Sequence, residues 1–470
     1  MSVEGRTHKP LVNQQKCNSC SVCYRACPAE PMVGLRKDEE SLCGLVYTKN
    51  KSETSIVSNL ETTAPPCQLA CPINQDVREY VRLIALGQFQ DALQVICETN
   101  PFPLICGYVC HRPCESACIK GSLSNPVPIR ALKLFVAENY DLIKPPKVLM
   151  PGNGIKVAII GSGPAGLTAA FELAIAGYQV EMYESHSEPG GMLQWAIPDF
   201  RLPRSVLIKE IDKLESLGVV IHTDIRFGDD ITARELMDKG AKAVIIATGT
   251  TIGSDMHIAN ESNATGLLDC LTFLNKIFDG ETMDLGRKIL VVGGGNAAID
   301  TARKAKKMGM ESVKTVYRRG QAEMPAEPAE VAEAIKEGVD FEFLTSPLEV
   351  ITHNGIVKGL KCIQTMLVED PKSDRLKPMV CADSEFDIAA DTIISAVGQI
   401  ADFEQIFKGL PVTPDWNSKS QLSDMKSFKK LPGLFTTGDF ANGASTVVEA
   451  MASGKRTARG VIDFLNQLKD

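Results

Sequence analysis

Residues 157–185 read VAIIGSGPAGLTAAFELAIAGYQVEMYES. An apolar run enters Gly161-x-Gly163-x-x-Gly166, an alanine-rich stretch of helical period follows, and a second apolar run ends in Glu184. Strand, glycine turn, helix and an acid roughly 20 residues on are the parts of a dinucleotide-binding βαβ unit. The glycines let backbone approach a pyrophosphate, which rests on a helix N-terminus where free N–H groups and the dipole favour an anion. Glu184 would accept the ribose hydroxyls.

Two later segments favour FAD at this turn. Pro189-Gly190-Gly191 follows Glu184, and AVIIATG (243–249) is an apolar run closed by Gly249. Near the end, GLFTTGDFANGASTVVEAMASG (433–454) sets Gly438-Asp439 between a strand and a helix expected to begin near Ser445-Thr446. In flavoproteins of this construction the aspartate binds the ribityl chain, and the following helix N-terminus faces the flavin and stabilises its reduced, negative form. Taken alone, Gly438-Asp439 would equally suit a plain turn.

A second unit, KILVVGGGNAAIDTARKAKKMG (288–309), carries Gly293-x-Gly295-x-x-Ala298, the alanine form of the same pattern. Its next strand, SVKTVYRR, ends in Arg318-Arg319 where an NAD site would place an acid. A guanidinium suits a 2′-phosphate by charge and fork geometry, so NADPH is favoured slightly over NADH. A solvated strand end is the alternative. One site would hold flavin and the other an exchangeable nicotinamide; hydride transfer between them needs stacking rather than a general acid or base, so no catalytic side chain is named.

Twelve of the 15 cysteines fall in the first 118 of 470 residues. Cys17, Cys20, Cys23 and Cys27, followed by Pro28, have the C-x2-C-x2-C-x3-C-P spacing of a ferredoxin-type iron–sulfur run. Zinc sites more often pair two C-x2-C units. Cys43, Cys67, Cys71, Cys106, Cys110, Cys114 and Cys118 complete the candidate metal ligands. The last four could instead be small buried residues on a helix face, but Pro103 and Pro113 argue against one regular helix there. Cys97, with Leu93 and Ile96 on an apolar face, reads as core.

The composition fits these motifs. The chain is 44% apolar and 23% charged, with a net charge of −8, and it has no basic run that would suit nucleic acid. Its start lacks an apolar h-region, and its longest apolar stretches, such as 157–160 and 167–176, are too short to span a bilayer. A cytoplasmic protein without membrane insertion is expected, where clustered cysteines indicate metal rather than disulfides. The expected fold is α/β: two Rossmann-type domains, for FAD and NAD(P), preceded by an α-helical Fe–S domain. The expected boundaries are 1–50 for a ferredoxin-like cysteine-rich segment, 51–150 for the helical Fe–S domain, 151–285 with 396–470 for FAD, and 286–395 for NAD(P). Residues 49–63 read as a linker.

PPCQLACPINQDV (65–77), NPFPLICGYVCHRPCESAC (100–118), PVPIRALKLFVAE (126–138), EPGGMLQWAIPDFRLP (188–203), VYRRGQAEMPA (316–326) and GDFANGASTVVEAMASGKRTA (438–458), with both glycine turns, occur in one order. Over roughly residues 64–470 the chain resembles the small (beta) subunit of glutamate synthase. Its relatives include the N-terminal half of dihydropyrimidine dehydrogenase and the large subunit of bifurcating transhydrogenase. The resemblance implies electron flow between NAD(P)H, FAD, clusters and a partner, in either direction. It also implies that Cys71, Cys110 and Cys114 ligate one [4Fe–4S] cluster, and that Cys67 and Cys118 are part of another. The chain departs from the family twice. Asn59 and Thr62 stand where a C-x2-C is expected, and Lys133 stands where a Gln or Glu ligand is expected. Either one cluster is lost, or Cys17, Cys20, Cys23, Cys27 and Cys43 supply replacements, for two clusters or three.

The leading expectation is an NAD(P)H:acceptor oxidoreductase subunit. Its electrons would pass through FAD and clusters to a larger catalytic or electron-transfer subunit, or to ferredoxin. The alternatives are a free-standing NAD(P)H–ferredoxin reductase, a disulfide reductase of the thioredoxin-reductase type, and a binding module without turnover. Cys270, Cys362 and Cys381 are isolated in sequence, which counts against the disulfide reductase.

Overall fold

The computed structural model describes residues 64–142, 152–262, 264–370, 373–408 and 431–468. The expectations for Cys17, Cys20, Cys23, Cys27, Cys43, Asn59, Thr62 and the linker lie outside the described residues. Those that are described form two compact units, one chiefly of residues 64–142 and the other chiefly of residues 152–468.

The first unit is helical: α1 (Pro66–Leu69), α2 (Val77–Ala85), α3 (Phe89–Cys97), α4 (Pro103–Val109), α5 (Pro113–Ser116) and α6 (Ile129–Asn139). Asp76 caps α2 by accepting the Glu79 backbone N–H at 3.0 Å. Helix α2 buries Val77, Tyr80 and Leu83, and α3 buries Ala92, Leu93 and Ile96, each at helical spacing. Cys97, at the end of α3, is only half-buried, because the helix ends as its apolar stripe turns toward solvent. Helix α4 buries nearly every residue; a fully buried aliphatic side chain such as Ile105 contributes about 1.5–3 kcal/mol. The prolines act as expected. Pro103 and Pro113 each sit at a helix start, and Arg112 takes a left-handed conformation (φ 61°) between α4 and α5. Helix α4 meets α6 at Gly107, where a Cβ would stand 2.7 Å from Leu134 Cδ1 and 3.1 Å from its Cα.

The second unit holds two five-stranded parallel sheets. The first has the order β15-β4-β1-β2-β3: β1 (Lys156–Ile160), β2 (Gln179–Tyr183), β3 (Val220–His222), β4 (Ala241–Ile246) and, from the far end of the chain, β15 (Leu434–Thr436). Helix α7 (Pro164–Ile175) joins β1 to β2. The second sheet has the order β6-β13-β7-β8-β9. A short antiparallel ribbon, β5 (Ile252–Gly253) on β14 (Gln399–Ile400), lies where the chain leaves one sheet for the other and where it returns. The second sheet comprises β6 (Leu267–Asp269), β7 (Lys288–Val292), β8 (Ser312–Tyr317), β9 (Asp340–Phe343) and β13 (Thr392–Ser395). On one face lie α8 (Cys270–Phe278), α9 (Asn296–Lys307) and α10 (Pro328–Lys336); on the other lies an antiparallel meander, β10 (Thr345–His353), β11 (Ile356–Asp370) and β12 (Ser373–Ala389). Strand alternation divides the core. Ile289 and Val291 pack with the helices, while Leu290 and Val292 pack with Val350, Val357 and Leu360 of the meander. Among the described residues, no helix is long and apolar enough to cross a membrane.

The α4–α6 approach predicts that Gly107→Ala destabilises the helical unit by about 1–3 kcal/mol. Gly121→Ala, whose Cβ meets only Pro126 Cβ at 3.7 Å, should leave it unchanged. Circular-dichroism melting of the two variants measures the difference, and equal melting points would contradict so tight an apposition.

Candidate functional site

In the first sheet, strand order reverses beside β1, and the ends of β1, β4 and β15 meet there. Ala247 N–H donates to Ile160 O at 2.7 Å and Thr437 N–H donates to Ile246 O at 2.9 Å. The glycines at this junction have different reasons to exist. A Cβ on Gly161 (φ +96°) would stand 2.6 Å from Ala247 O, and one on Gly166 would stand 2.1 Å from Gly161 O. Both are required by protein packing. Gly163 has an ordinary φ of −68° as the N-cap of α7, and a Cβ there would meet nothing within 4 Å. No protein atom explains its bareness, whereas a ligand against the helix N-terminus would.

The same arrangement recurs in the second sheet. A Cβ on Gly293 would stand 2.4 Å from Ala396 O, Ala298 is buried against the helix side, and a Cβ on Gly295, the N-cap of α9, would meet nothing within 4 Å. Two turns, each crowded at its flanks and open at its centre, are what two dinucleotide pyrophosphates require.

Side chains distinguish the two turns. Glu184, 4% exposed, takes the Ser162 amide (3.0 Å) and hydroxyl (2.5 Å) on Oε2, and the His186 amide (3.1 Å) and Nδ1 (3.2 Å) on Oε1. Burial pushes this carboxyl up, but hydrogen bonds from His186 and Ser162 outweigh it and hold it at about 2. Ser162 Oγ also accepts Gly190 N–H at 2.8 Å. Gly191 (φ +54°) lies against Gly163, where a Cβ would come within 2.8 Å of the Gly163 Cα. Sequence patterning pointed to Glu184, Gly191 and the glycine turn but missed Ser162 and His186, which link them. His186 bridges onward through Nε2 to Asn275 Oδ1 of α8 at 2.7 Å and stacks on Trp195. Gly249 (φ +71°) follows β4 with open space at its Cα.

Gly438 (φ +62°) opens α11 (Gly438–Asn442) after β15, and its Cβ would stand 2.7 Å from that of Ala165 in α7. This places Gly438-Asp439 beside the N-terminal turn of α7. Ser453 Oγ, in α12 (Val447–Gln467), accepts Gly438 N–H at 2.8 Å, and Ser445 Oγ donates to Asp439 Oδ1 at 2.5 Å. Thr446 directly precedes α12. The residues present fit an FAD whose pyrophosphate lies on the Gly163 turn.

Beyond β8 the two arginines part. Arg319 Nε donates to Leu376 O of β12 at 2.9 Å, whereas Arg318 is exposed. Arg375, also of β12, donates to Glu323 O at 3.4 Å and brings a further guanidinium to this edge. A buried ion-pair network joins the 188–203 loop to α9. Arg201 Nη1 meets Asp300 Oδ2 at 2.6 Å, and Arg303 binds Glu330 and Glu337. These partners, up to 99 residues apart, have no local sequence signal.

In the helical unit, Cys106 and Cys114 each lie close enough to Cys71, Cys110 and Lys133 to feel their charge. Burial pushes the Cys106 and Cys114 thiols up to about 12, against the pull of Lys133. Burial opposes the Lys133 charge, but the sulfurs of Cys106, Cys110, Cys71 and Cys114 outweigh it and raise the lysine above its ordinary value. Arg112 N–H points at Cys110 Sγ (3.5 Å). Cys67 and Cys118 line one apolar recess with Val77, Val81 and Ile129. Among the described residues no three His, Cys, Asp or Glu side chains converge tightly enough for a single metal ion. The donors of 71, 106, 110 and 114 fit a cluster, whose irons each take one thiolate, better than a lone zinc. Cys270 and Cys362 are buried, with thiols pushed up to about 12 chiefly by burial, and are poor redox nucleophiles.

The pyridine nucleotide-disulphide oxidoreductase family matches residues 155–454. A domain described as dihydropyrimidine dehydrogenase domain II, 4Fe-4S cluster, matches residues 43–143. The chain is 36% identical to the beta subunit of an NADP(+)-dependent formate dehydrogenase of Moorella thermoacetica, over 86% of this chain and 60% of that one. It therefore spans less than two thirds of that relative. It is 34% identical to the small chain of glutamate synthase [NADPH] of Azospirillum brasilense, over 84% of this chain and 86% of that one. Mycobacterium tuberculosis FprA, solved in complex with NADPH, shares the fold of 67% of this chain and 86% of its own at 19% identity, with a TM-score of 0.57.

Two predictions follow from the geometry of the turn. Gly166→Ala should cost the fold several kcal/mol by forcing Cβ into a backbone carbonyl, of the order of overpacking costs, whereas Gly163→Ala should melt as the flavin-stripped wild type does and retain little flavin. Thermal melting and flavin absorbance on the same preparations separate these effects; flavin at the wild-type level in Gly163→Ala would remove the pyrophosphate from that turn. For Glu184, a folded value of about 2 against an ordinary 4.5 contributes up to about 3 kcal/mol of stability above pH 4.5. The advantage of wild type over Glu184→Gln should narrow as pH falls below 4.5 and vanish near 2. Urea unfolding of both chains, followed by tryptophan fluorescence, measures that gap.

Proposed function

We propose a function for a chain whose family is known: it belongs to the pyridine nucleotide-disulphide oxidoreductase family and is a relative of the glutamate synthase small chain. It is an FAD- and iron–sulfur-dependent oxidoreductase. The finer reading is a nicotinamide-handling subunit that takes hydride from NADPH and delivers single electrons through two [4Fe–4S] clusters to a larger partner. The observation that carries it is the pair of open-centred turns at Gly163 and Gly295, one backed by a buried carboxylate and the other by an exposed arginine.

Each residue's role follows from its surroundings. Gly161, Gly163 and Gly166 hold the FAD pyrophosphate on the N-terminus of α7, and Glu184, already ionised and oriented by Ser162 and His186, takes the adenosine ribose. Gly191 and Gly249 keep the flavin's path bare of side chains. Asp439, oriented by Ser445, holds the ribityl chain, and Thr446 at the start of α12 faces the flavin edge. Gly293, Gly295 and Ala298 form the nicotinamide-dinucleotide cradle, and Arg318 reads the 2′-phosphate. Bound FAD would supply the conversion of a two-electron hydride into single electrons. The proposed partition remains 1–50 and 51–150 for the cluster segments, 151–285 with 396–470 for FAD, and 286–395 for NADPH. Cys67 and Cys118, in their shared recess, are proposed for a second cluster.

A larger catalytic or electron-transfer subunit is the proposed acceptor, since the formate dehydrogenase and glutamate synthase relatives are named as subunits of such enzymes. Disulfide reduction is disfavoured because Cys270 and Cys362 are buried and inert. Anaerobic NADPH should bleach first the flavin and then the broad Fe–S absorbance; no bleaching by NADPH or NADH would defeat the reading. Arg318→Ala should raise the Kd for NADPH by roughly 10- to 100-fold, the loss of a charge-assisted contact, and leave NADH unaffected. Arg319→Ala should do less, since its guanidinium is engaged at Leu376. Equal losses for both cofactors would remove Arg318 from phosphate recognition.

A further inference from the structure

In the helical unit, Lys133 occupies the position at which the family resemblance places a coordinating Gln or Glu. It is 6% exposed, and its Nζ lies 3.4 Å from Gln75 Oε1, while Gln75 Nε2 is anchored on Ile96 O at 3.0 Å. An ammonium has three donors and no lone pair to give iron, so a cluster in this pocket needs its fourth ligand from elsewhere.

Three observations converge on one residue. First, Cys106 is 0% exposed on α4, and its carbonyl accepts the N–H of Cys110, the residue that caps this helix, at 3.2 Å, so the two residues lie one turn apart. Second, α4 and α6 pack closely at Gly107 and Leu134, the direct neighbours of Cys106 and Lys133, where a Cβ on Gly107 would stand 2.7 Å from Leu134 Cδ1. That contact brings Cys106 to the helix carrying the vacated ligand position. Third, Asn100, fully buried, accepts Phe102 N–H at 3.0 Å on Oδ1, while its Nδ2 has no hydrogen-bond partner among the described residues. Asn100 thus sits at the start of α4, where the Phe102 carbonyl in turn accepts the Cys106 N–H at 3.1 Å. A buried donor left without a partner is costly in a neutral core, and a neighbouring sulfur that carries negative charge would satisfy it.

We propose that Cys106, and not Lys133, completes the ligand set of the [4Fe–4S] cluster held by Cys71, Cys110 and Cys114, leaving Lys133 as an uncoordinated cation beside it. The assignment rests on the reading of this unit as a cluster carrier. Four thiolates on an oxidised cubane leave a net charge of about −2, set by cluster type and ligands, and reduction makes it more negative. Lys133, held by Gln75, offsets part of that charge and favours the reduced form. The substitution of a lysine for a coordinating side chain is therefore matched by an extra thiolate one helix away, and the cation raises the cluster's potential.

The test uses the full chain purified anaerobically with its flavin. Cys106→Ala should lose about one iron in four from one cluster and give a [3Fe–4S]-type EPR signal when oxidised, or lose that cluster whole, with flavin content unchanged. Cys106→Ser, which keeps the side-chain volume, should fold and give an altered EPR signal or potential for the same cluster. Lys133→Met should keep the iron and sulfide of wild type but titrate at a more negative potential by EPR-monitored potentiometry. Wild-type iron and EPR in both Cys106 variants would overturn the assignment, as would loss of the cluster in Lys133→Met, which leaves the thiol untouched. Cys71→Ala separates this failure from the deeper one. If it too leaves iron and EPR unchanged, the unit holds no cluster there, and the cluster reading itself falls.

Discussion

The carbonyl oxygen of Ala247 sits where a Cβ on residue 161 would come within 2.6 Å, and much of the larger unit follows from that approach. It allows β1 and β4 to run parallel to their ends and still release the chain into a tight turn. The Gly161 carbonyl in its turn crowds Gly166, so α7 can begin at once and dock on the sheet it left. Docked there, α7 admits Gly438 against Ala165 and Gly454 against the Ala165 carbonyl, where a Cβ would stand 2.2 Å away. The C-terminal segment is thereby tied to the first turn of the fold although nearly 300 residues of chain separate them. A methyl group at Gly161, Gly166 or Gly454 would push apart backbone rather than flexible side chains, and a close-packed interior has little room to absorb it.

The second sheet repeats the constraint with Gly293 against the Ala396 carbonyl, so one solution to backbone crowding produces two anion-binding turns. What differs is the charge placed beyond the second strand. At Glu184 a carboxylate is buried and supplied with five donor contacts, an expensive arrangement that tolerates little change in geometry. At Arg318 the group is exposed and screened, so in its proposed role it would add attraction and selectivity without fixing position. A prosthetic group and an exchanging cofactor call for that division: one site preorganised in a dry, fully bonded setting, the other able to admit and release its ligand.

These differences also explain what could be read from sequence. Both turns, the helices behind them and the parallel strands were legible because they depend on local spacing: glycine at fixed offsets and apolar runs of strand length. The pair of amphipathic helices at 77–97 was legible from period alone, and the break between α4 and α5 from Pro113. The parts that were not legible are side-chain bonds across the fold. Arg319 looks like its neighbour in sequence, and only the meander, 57 residues later, supplies the Leu376 carbonyl that occupies it. Arg201 and Asp300 are 99 residues apart and carry no motif. Ser162 lies within the fingerprint at a position where the pattern accepts any residue. Its hydroxyl nonetheless links Glu184 to the Gly190 amide and so joins the three segments of the flavin cradle.

The helical unit poses the opposite problem, for its chemistry depends on charge rather than on close backbone contact. A lysine buried to 6% exposure cannot be stabilised by the Gln75 dipole at 3.4 Å alone, because removing an ammonium from water costs several kcal/mol even after relaxation. Tyr80, also buried, feels Cys114, Cys71, Cys67 and Cys110 and adds no anion. Sulfur is the main source of negative charge acting on Lys133 among the described residues, and a buried sulfur keeps that charge when a metal takes the place of its proton. Lys133, the thiols and the Arg112 N–H on Cys110 lie in one environment, where the lysine's charge is costly unless the sulfurs carry negative charge. A cluster bound there, as proposed, would supply that charge and so stabilise the packing of α4 on α6.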